Sequence, residues 1–208
     1  MPAIFYPENH HKPIAMIDVA LSFIRDYILT EISGTAGVII SSLPKDPDGD
    51  NHTDNIFITL LNIEEEKVIK SQAAYRPYSD TSVRLYNPEI RLNLYLLFTA
   101  QFQKTTYISS LKYISQVITI FQGKNVFTND DFTVVSPPDY NGGLQKLIVE
   151  LYSPTFEQNN QIWQILGSRM MPFVLYKVRM ITLIDPDGDY VRQTEIVQGI
   201  NINLTPGH

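Results

Sequence analysis

The chain contains no cysteine and only one tryptophan, Trp163, in 208 residues. The missing cysteines exclude disulfides, thiolate zinc sites and cysteine nucleophiles together, and they leave the redox compartment without a marker. Basic residues are few and scattered. Lys and Arg number 16 against 22 Asp and Glu, for a net charge of −6. Nucleic-acid binding draws on a basic patch that releases phosphate counterions, so no nucleic-acid partner is expected. No run approaches the roughly 20 apolar residues of a membrane span, and direct membrane insertion is not expected. Met1–Glu8 has neither a basic n-region nor a long apolar h-region, so it does not read as a signal peptide. These features predict a soluble protein made in the cytoplasm. No 20–50-residue repeat is present.

What is there is an ordinary globular composition rich in aromatics. Hydrophobic residues make up 44% of the chain, enough for one large core. The 12 Tyr and 10 Phe suit a strand-rich core and an interface equally. Organisation centres on Asn87–Gln122. Ile90, Leu92, Leu94, Leu96 and Phe98 alternate as one buried face of a strand. The opposite face runs from Arg91 and Asn93 to Tyr95, Leu97 and Thr99, so the strand is expected to end buried on both sides. Tyr107, Leu111, Ile114, Ile118 and Phe121 then fall on one helical stripe, with Thr105 or Thr106 as N-cap and Gly123 at the end.

The flanking segments follow the same rules. Ile14, Ile17, Leu21, Ile24 and Ile28 predict an amphipathic helix opened by Pro13 and closed by Gly34 and Gly37. Val38–Leu43 and Asn55–Glu64 read as strands. In the second, Ile56, Ile58, Leu60 and Asn62 share a face opposite Phe57, Leu61 and Ile63. Glu64–Lys67 reads as a charged turn, Val68–Gln72 as a return strand, and Ala73–Tyr86 as a loop ordered by a partner. Val126–Val135 predicts one or two short strands, and Leu144–Ser153 a strand. Pro154–Gly167 predicts a helix capped by Thr155, and Pro172–Ile184 a further strand. Tyr190–Leu204 reads as a strand-like tail. The fold class is α+β: a mixed, largely antiparallel sheet with flanking helices. The division is an N-terminal arm over 1–12, a domain over 13–189 and a C-terminal strand or tail over 190–208.

Chemistry finds little purchase. Asp-Pro-Asp-Gly-Asp occurs at Asp46–Asp50 and at Asp185–Asp189. A calcium loop of the EF-hand type wants Gly at its sixth position and Glu at its twelfth, whereas here Gly stands fourth, as in a good turn sequence. His10 and His11 adjoin in an arm, while His52 and His208 lie in a loop and at the terminus. Gly142-Gly143 lacks the Lys-Ser/Thr of a phosphate loop, and no Gly-x-Ser-x-Gly elbow occurs. Glu64–Glu66 reads as a solvated run, and Trp163 and Arg169 as packing or capping residues. No catalytic, metal or cofactor constellation is expected, and the chain is not read as an enzyme.

Four segments together resemble a known family. They are Ile14–Leu21; Ile56–Ile63 with Glu64–Glu66; Pro88–Phe121 with its core Leu92–Ala100; and Leu147–Tyr152 followed by Ile162–Leu166 and Tyr176–Arg179. This pattern resembles the tail-terminator, or cap, protein of extracellular contractile injection systems of the Photorhabdus virulence cassette and antifeeding-prophage type. One departure is a single proline, Pro88, where the family often has a pair. The resemblance implies a tail-terminator-like fold and a homo-oligomeric, hexameric ring on the far end of the inner tube. Such a ring would stop tube growth and hold the last sheath ring, with the inner-tube and sheath proteins as partners. The chain would then travel in a phage-tail-like particle, released or membrane-anchored. Ring contacts are expected from the arm Met1–Lys12, the segment Ala73–Tyr86 and the tail Tyr190–Leu204, with Phe5, Tyr6, Tyr75, Tyr78 and Ile202 as apolar anchors. Two other readings stand beside it. One is an adaptor tethering cargo or another component of the same machine. The other is a hydrolase or metal enzyme assembled from scattered residues.

Overall fold

The computed structural model describes residues 16–42, 54–66, 74–79, 82–86, 90–102, 107–134, 144–182 and 194–195. In chain order the elements are α1 (Ile17–Glu31), β1 (Gly37–Ile40), β2 (Asn55–Glu65), β3 (Ala74–Ser79), β4 (Ser82–Tyr86), β5 (Ile90–Gln101), α2 (Tyr107–Gly123), β6 (Val126–Thr128), α3 (Asn129–Val134), β7 (Leu144–Tyr152), α4 (Phe156–Leu166), β8 (Phe173–Thr182) and β9 (Thr194–Glu195). Six strands form one sheet in the order β1-β2-β5-β8-β7-β6, and β3-β4-β9 form a second. Among the described strands only the β1–β2 pair is parallel. The fold is the mixed, largely antiparallel α+β class expected.

β5 occupies the middle of the large sheet because both its faces are apolar toward its end. Leu94, Leu96 and Phe98 are fully buried in the main core, while Leu97 is fully buried in a second cluster on the opposite face. The β8 alternation divides the same way. Val174, Tyr176, Val178 and Met180 join the main core, and Leu175 joins the second. α1, α2 and α3 cover the main-core face. Phe23 of α1 meets Phe127 and Phe132 edge-on, with centroids 5.2 and 4.7 Å apart. α4 covers the other face.

The turn from α1 into β1 is held from outside. Gly34 has φ of +124°, and a Cβ there would lie 2.3 Å from the Tyr113 hydroxyl of α2. That hydroxyl accepts from the Thr35 N–H at 3.3 Å, and Gln116 Oε1 accepts from the Ser33 N–H at 2.8 Å. Glycine is needed for both backbone conformation and space.

Five local expectations are corrected. First, Glu64 and Glu65 are not a turn but continue β2, opposite Asn93 and Leu92 of β5. Second, β2 shifts register between Leu60 and Asn62, so Ile63 pairs with Leu94 and Asn62 with Tyr95. The extra residue swaps the faces of Asn62 and Ile63 relative to strict alternation. Third, Ala73–Tyr86 holds the β3–β4 hairpin rather than a loop. Pro77 is tolerated because β3 is an edge strand. Fourth, residues 126–134 are one strand followed by the short helix α3. Asp131 Oδ2 accepts from the Thr128 N–H at 2.9 Å, which caps the start of that helix. Fifth, only part of the α2 stripe is core. Ile114 and Phe121 are buried with Ser110, Tyr113 and Val117, whereas Tyr107, Leu111 and Ile118 are exposed. The Val68–Gln72 return strand, Pro13, Ile14, Thr105 and Thr106 lie outside the described residues.

Candidate interaction surfaces

Among the described residues, α4 is the helix that packs on the second face of the large sheet. α4 is 11 residues long. Its start is fixed by a capping box: Thr155 Oγ1 accepts from the Gln158 N–H at 3.2 Å, and Gln158 Oε1 accepts from the Thr155 N–H at 2.9 Å. Its end is fixed by Gly167 at φ of 62°, whose N–H donates to the carbonyls of Trp163 and Gln164. Trp163 is the buried anchor. It packs with Phe57, Leu97, Leu175 and Met171 and meets the Phe173 ring edge-on at 5.4 Å.

Between α4 and the sheet runs a groove of about 390 Å³. Its floor is Leu61 and Leu175, beside Leu60, whose side chain packs toward the main core; its helix wall is Ile162, Ile165 and Leu166, and Tyr95 and Tyr152 flank the floor. The two tyrosine rings meet edge-on at 5.4 Å. Among the described residues Glu64 is the one charged residue lining the groove. It accepts from the Tyr95 hydroxyl at 3.0 Å and from Asn62 Nδ2 at 3.2 Å. Burial, and then the Glu64 carboxylate, push the Tyr95 phenol above its ordinary range. The β2 bulge brings Asn62 and Glu64 to this face. Nearby on β7 and β8, Arg179 pairs with Glu150 at 2.5 Å. Both side chains are over 40% exposed, so the pair adds little stability.

The second surface is the outer flank of α2. Tyr107, Ile108, Leu111 and Ile118 are 56, 77, 42 and 36% exposed. Tyr107, Leu111 and Ile118 belong to the helical stripe expected from the spacing, and Ile108 lies beside it.

Of the expected anchors, Tyr75 and Tyr78 have their backbones in β3. Tyr75 is opposite Leu85 of β4, and Tyr78 falls within the register shift between Pro77 and Ser79. Phe5, Tyr6 and Ile202 lie outside the described residues, as do His10, His11, His52, His208 and both Asp-Pro-Asp-Gly-Asp segments. Among the described residues no three His, Cys, Asp or Glu stand together as a metal site. Trp163 packs as expected, and no described helix is long and apolar enough to cross a membrane.

The same fold recurs in two solved structures of contractile particles. One is the sheath/tube terminator of an extracellular contractile injection system, PVC, in its extended state. It matches with a TM-score of 0.64 and 14% identity over 93% of this chain. The other is the tube-terminating cap of the anti-feeding prophage, with a TM-score of 0.60 and 14% identity over 89% of this chain. This chain spans 65% and 60% of those two chains. No curated protein sequence matches it. The architecture is thus one shared with tail terminators. The chain belongs to the Pvc16 N-terminal domain family, whose model matches residues 20–194.

Proposed function

We propose that this chain is a structural cap of a contractile injection system. Copies form a hexameric ring on the far end of the inner tube, end tube growth and hold the last sheath ring. The observation that carries this reading is the fold shared with a sheath/tube terminator across 93% of the chain, in a member of the Pvc16 N-terminal domain family.

The role is mechanical and needs no cofactor. Ring closure requires head-to-tail contacts between unlike surfaces. The arm over 1–12, the β3–β4 hairpin and the tail over 190–208 serve as extensions from the 13–189 domain, with Phe5, Tyr6, Tyr75, Tyr78 and Ile202 as anchors. The partners are the inner-tube and sheath proteins. The protein reaches its site by assembly from the bacterial cytoplasm into a phage-tail-like particle.

The test is deletion of the gene in its host followed by electron microscopy of purified particles. Tubes of unregulated length, or loss of intact sheathed particles, are the expected result. Particles of normal length with a full sheath would overturn the reading.

A further inference from the structure

The apolar arc of α2 is wider than the sheet beneath it. Tyr113, Ile114, Val117 and Phe121 are spent on the main core. Tyr107, Leu111 and Ile118 continue the arc at helical spacing along one flank, with Ile108 beside them, all exposed. Scattered surface apolar residues need no explanation, but a continuous ridge of large ones marks an association surface. On the opposite face of the same sheet lies the groove between α4 and β2, with its Leu61 and Leu175 floor and Ile162 and Ile165 wall. One surface is convex and the other concave, and the sheet separates them, so no single copy can join its own two.

Charge selects the same pairing. α2 contains one charged residue, Lys112, which forms no ion pair among the described residues. Among the described residues the groove is likewise lined by one charged residue, Glu64, whose carboxylate is met by the neutral donors Tyr95 and Asn62. We infer that the α2 ridge of one copy seats in the α4 groove of the next, with Lys112 facing the partner subunit's Glu64. An amphipathic helix laid in an apolar groove is a recurrent recognition mode. Because the two surfaces differ, the contact is heterologous and propagates around a ring. The inference rests on the ring reading above and names the surfaces that build it.

The cysteine-free chain allows a direct test. In the full-length protein, Leu111→Cys with Ile165→Cys in one chain should give, on mild oxidation, a ladder of disulfide-linked copies that disappears on reduction. Either substitution alone should stay monomeric on a non-reducing gel. Dimers from Leu111→Cys alone would show ridge pairing with ridge and overturn the inference. Oligomer mass measured in parallel separates the two claims. A multimer without cross-links overturns these surfaces and leaves the ring standing, whereas a monomer at all concentrations overturns both. As an independent check, Lys112→Glu and Glu64→Lys should each weaken association by roughly tenfold, and the two in one chain should restore it. Failure of that restoration would contradict the Lys112–Glu64 pairing.

Discussion

Single residues carry two features with measurable consequences. Gly34 turns the chain from α1 into β1 at a φ open to glycine, against the Tyr113 hydroxyl. Gly34→Ala therefore both strains the backbone and displaces the tyrosine that receives the Thr35 N–H. Its cost is expected to exceed about 1 kcal/mol in denaturant unfolding followed by Trp163 fluorescence. Tyr176 is held in the main core between the Phe98 and Phe121 rings, at 5.6 and 5.0 Å. Burial pushes its phenol up to about 12 from an ordinary 10.0. A raised folded value stabilises the protein fully below pH 10 and loses that contribution as the pH rises toward 12. Stability should fall across that alkaline window, and Tyr176→Phe, which keeps the ring, should fall less. Equal slopes for the two proteins would contradict the assignment.

At the scale of elements, α4 depends on its ends more than on its own sequence. Thr155 and Gln158 satisfy two otherwise unpaired N–H groups reciprocally. Thr155→Ala should cost about 1 kcal/mol and loosen Trp163, seen as a red-shifted native emission. An unchanged spectrum and midpoint would show the cap to be dispensable. This helix and its cap were legible in the sequence because Thr155, Gln158 and Gly167 are local signals. The β5 alternation was legible because Ile90, Leu92 and Leu94 alternate with the polar Arg91 and Asn93 at its start. α3 was not, since six residues carry no helical period and its cap depends on Asp131 reaching back to Thr128. Nor was the β3–β4 hairpin, whose Pro77 argues against a strand unless the strand is known to be an edge. The α2 stripe was read at the right spacing and given one destination, because periodicity reports a wide apolar arc without saying how much of it the sheet covers.

For the whole molecule, the sequence pattern conveyed a sheet with packed helices and the likeness to tail terminators. It did not convey the groove, which joins β2, β7, α4 and β8 across more than a hundred residues and turns on one extra residue at Leu61. Sites assembled from distant strands are set by register, and a bulge changes register without altering local composition. The resulting layout places an apolar ridge on one side of a six-stranded sheet and an apolar groove on the other. Unlike surfaces on opposite sides are what head-to-tail closure of a ring requires.

The central claim is that this chain forms the ring that ends the tube. Cryo-electron microscopy of purified particles carrying a tag on this protein, with averaging of both tube ends, is the decisive test. A closed hexameric ring of this fold, and the tag, are expected at the end opposite the baseplate and nowhere else. The tag along the sheath or at the baseplate, or a tube end without such a ring, would contradict it.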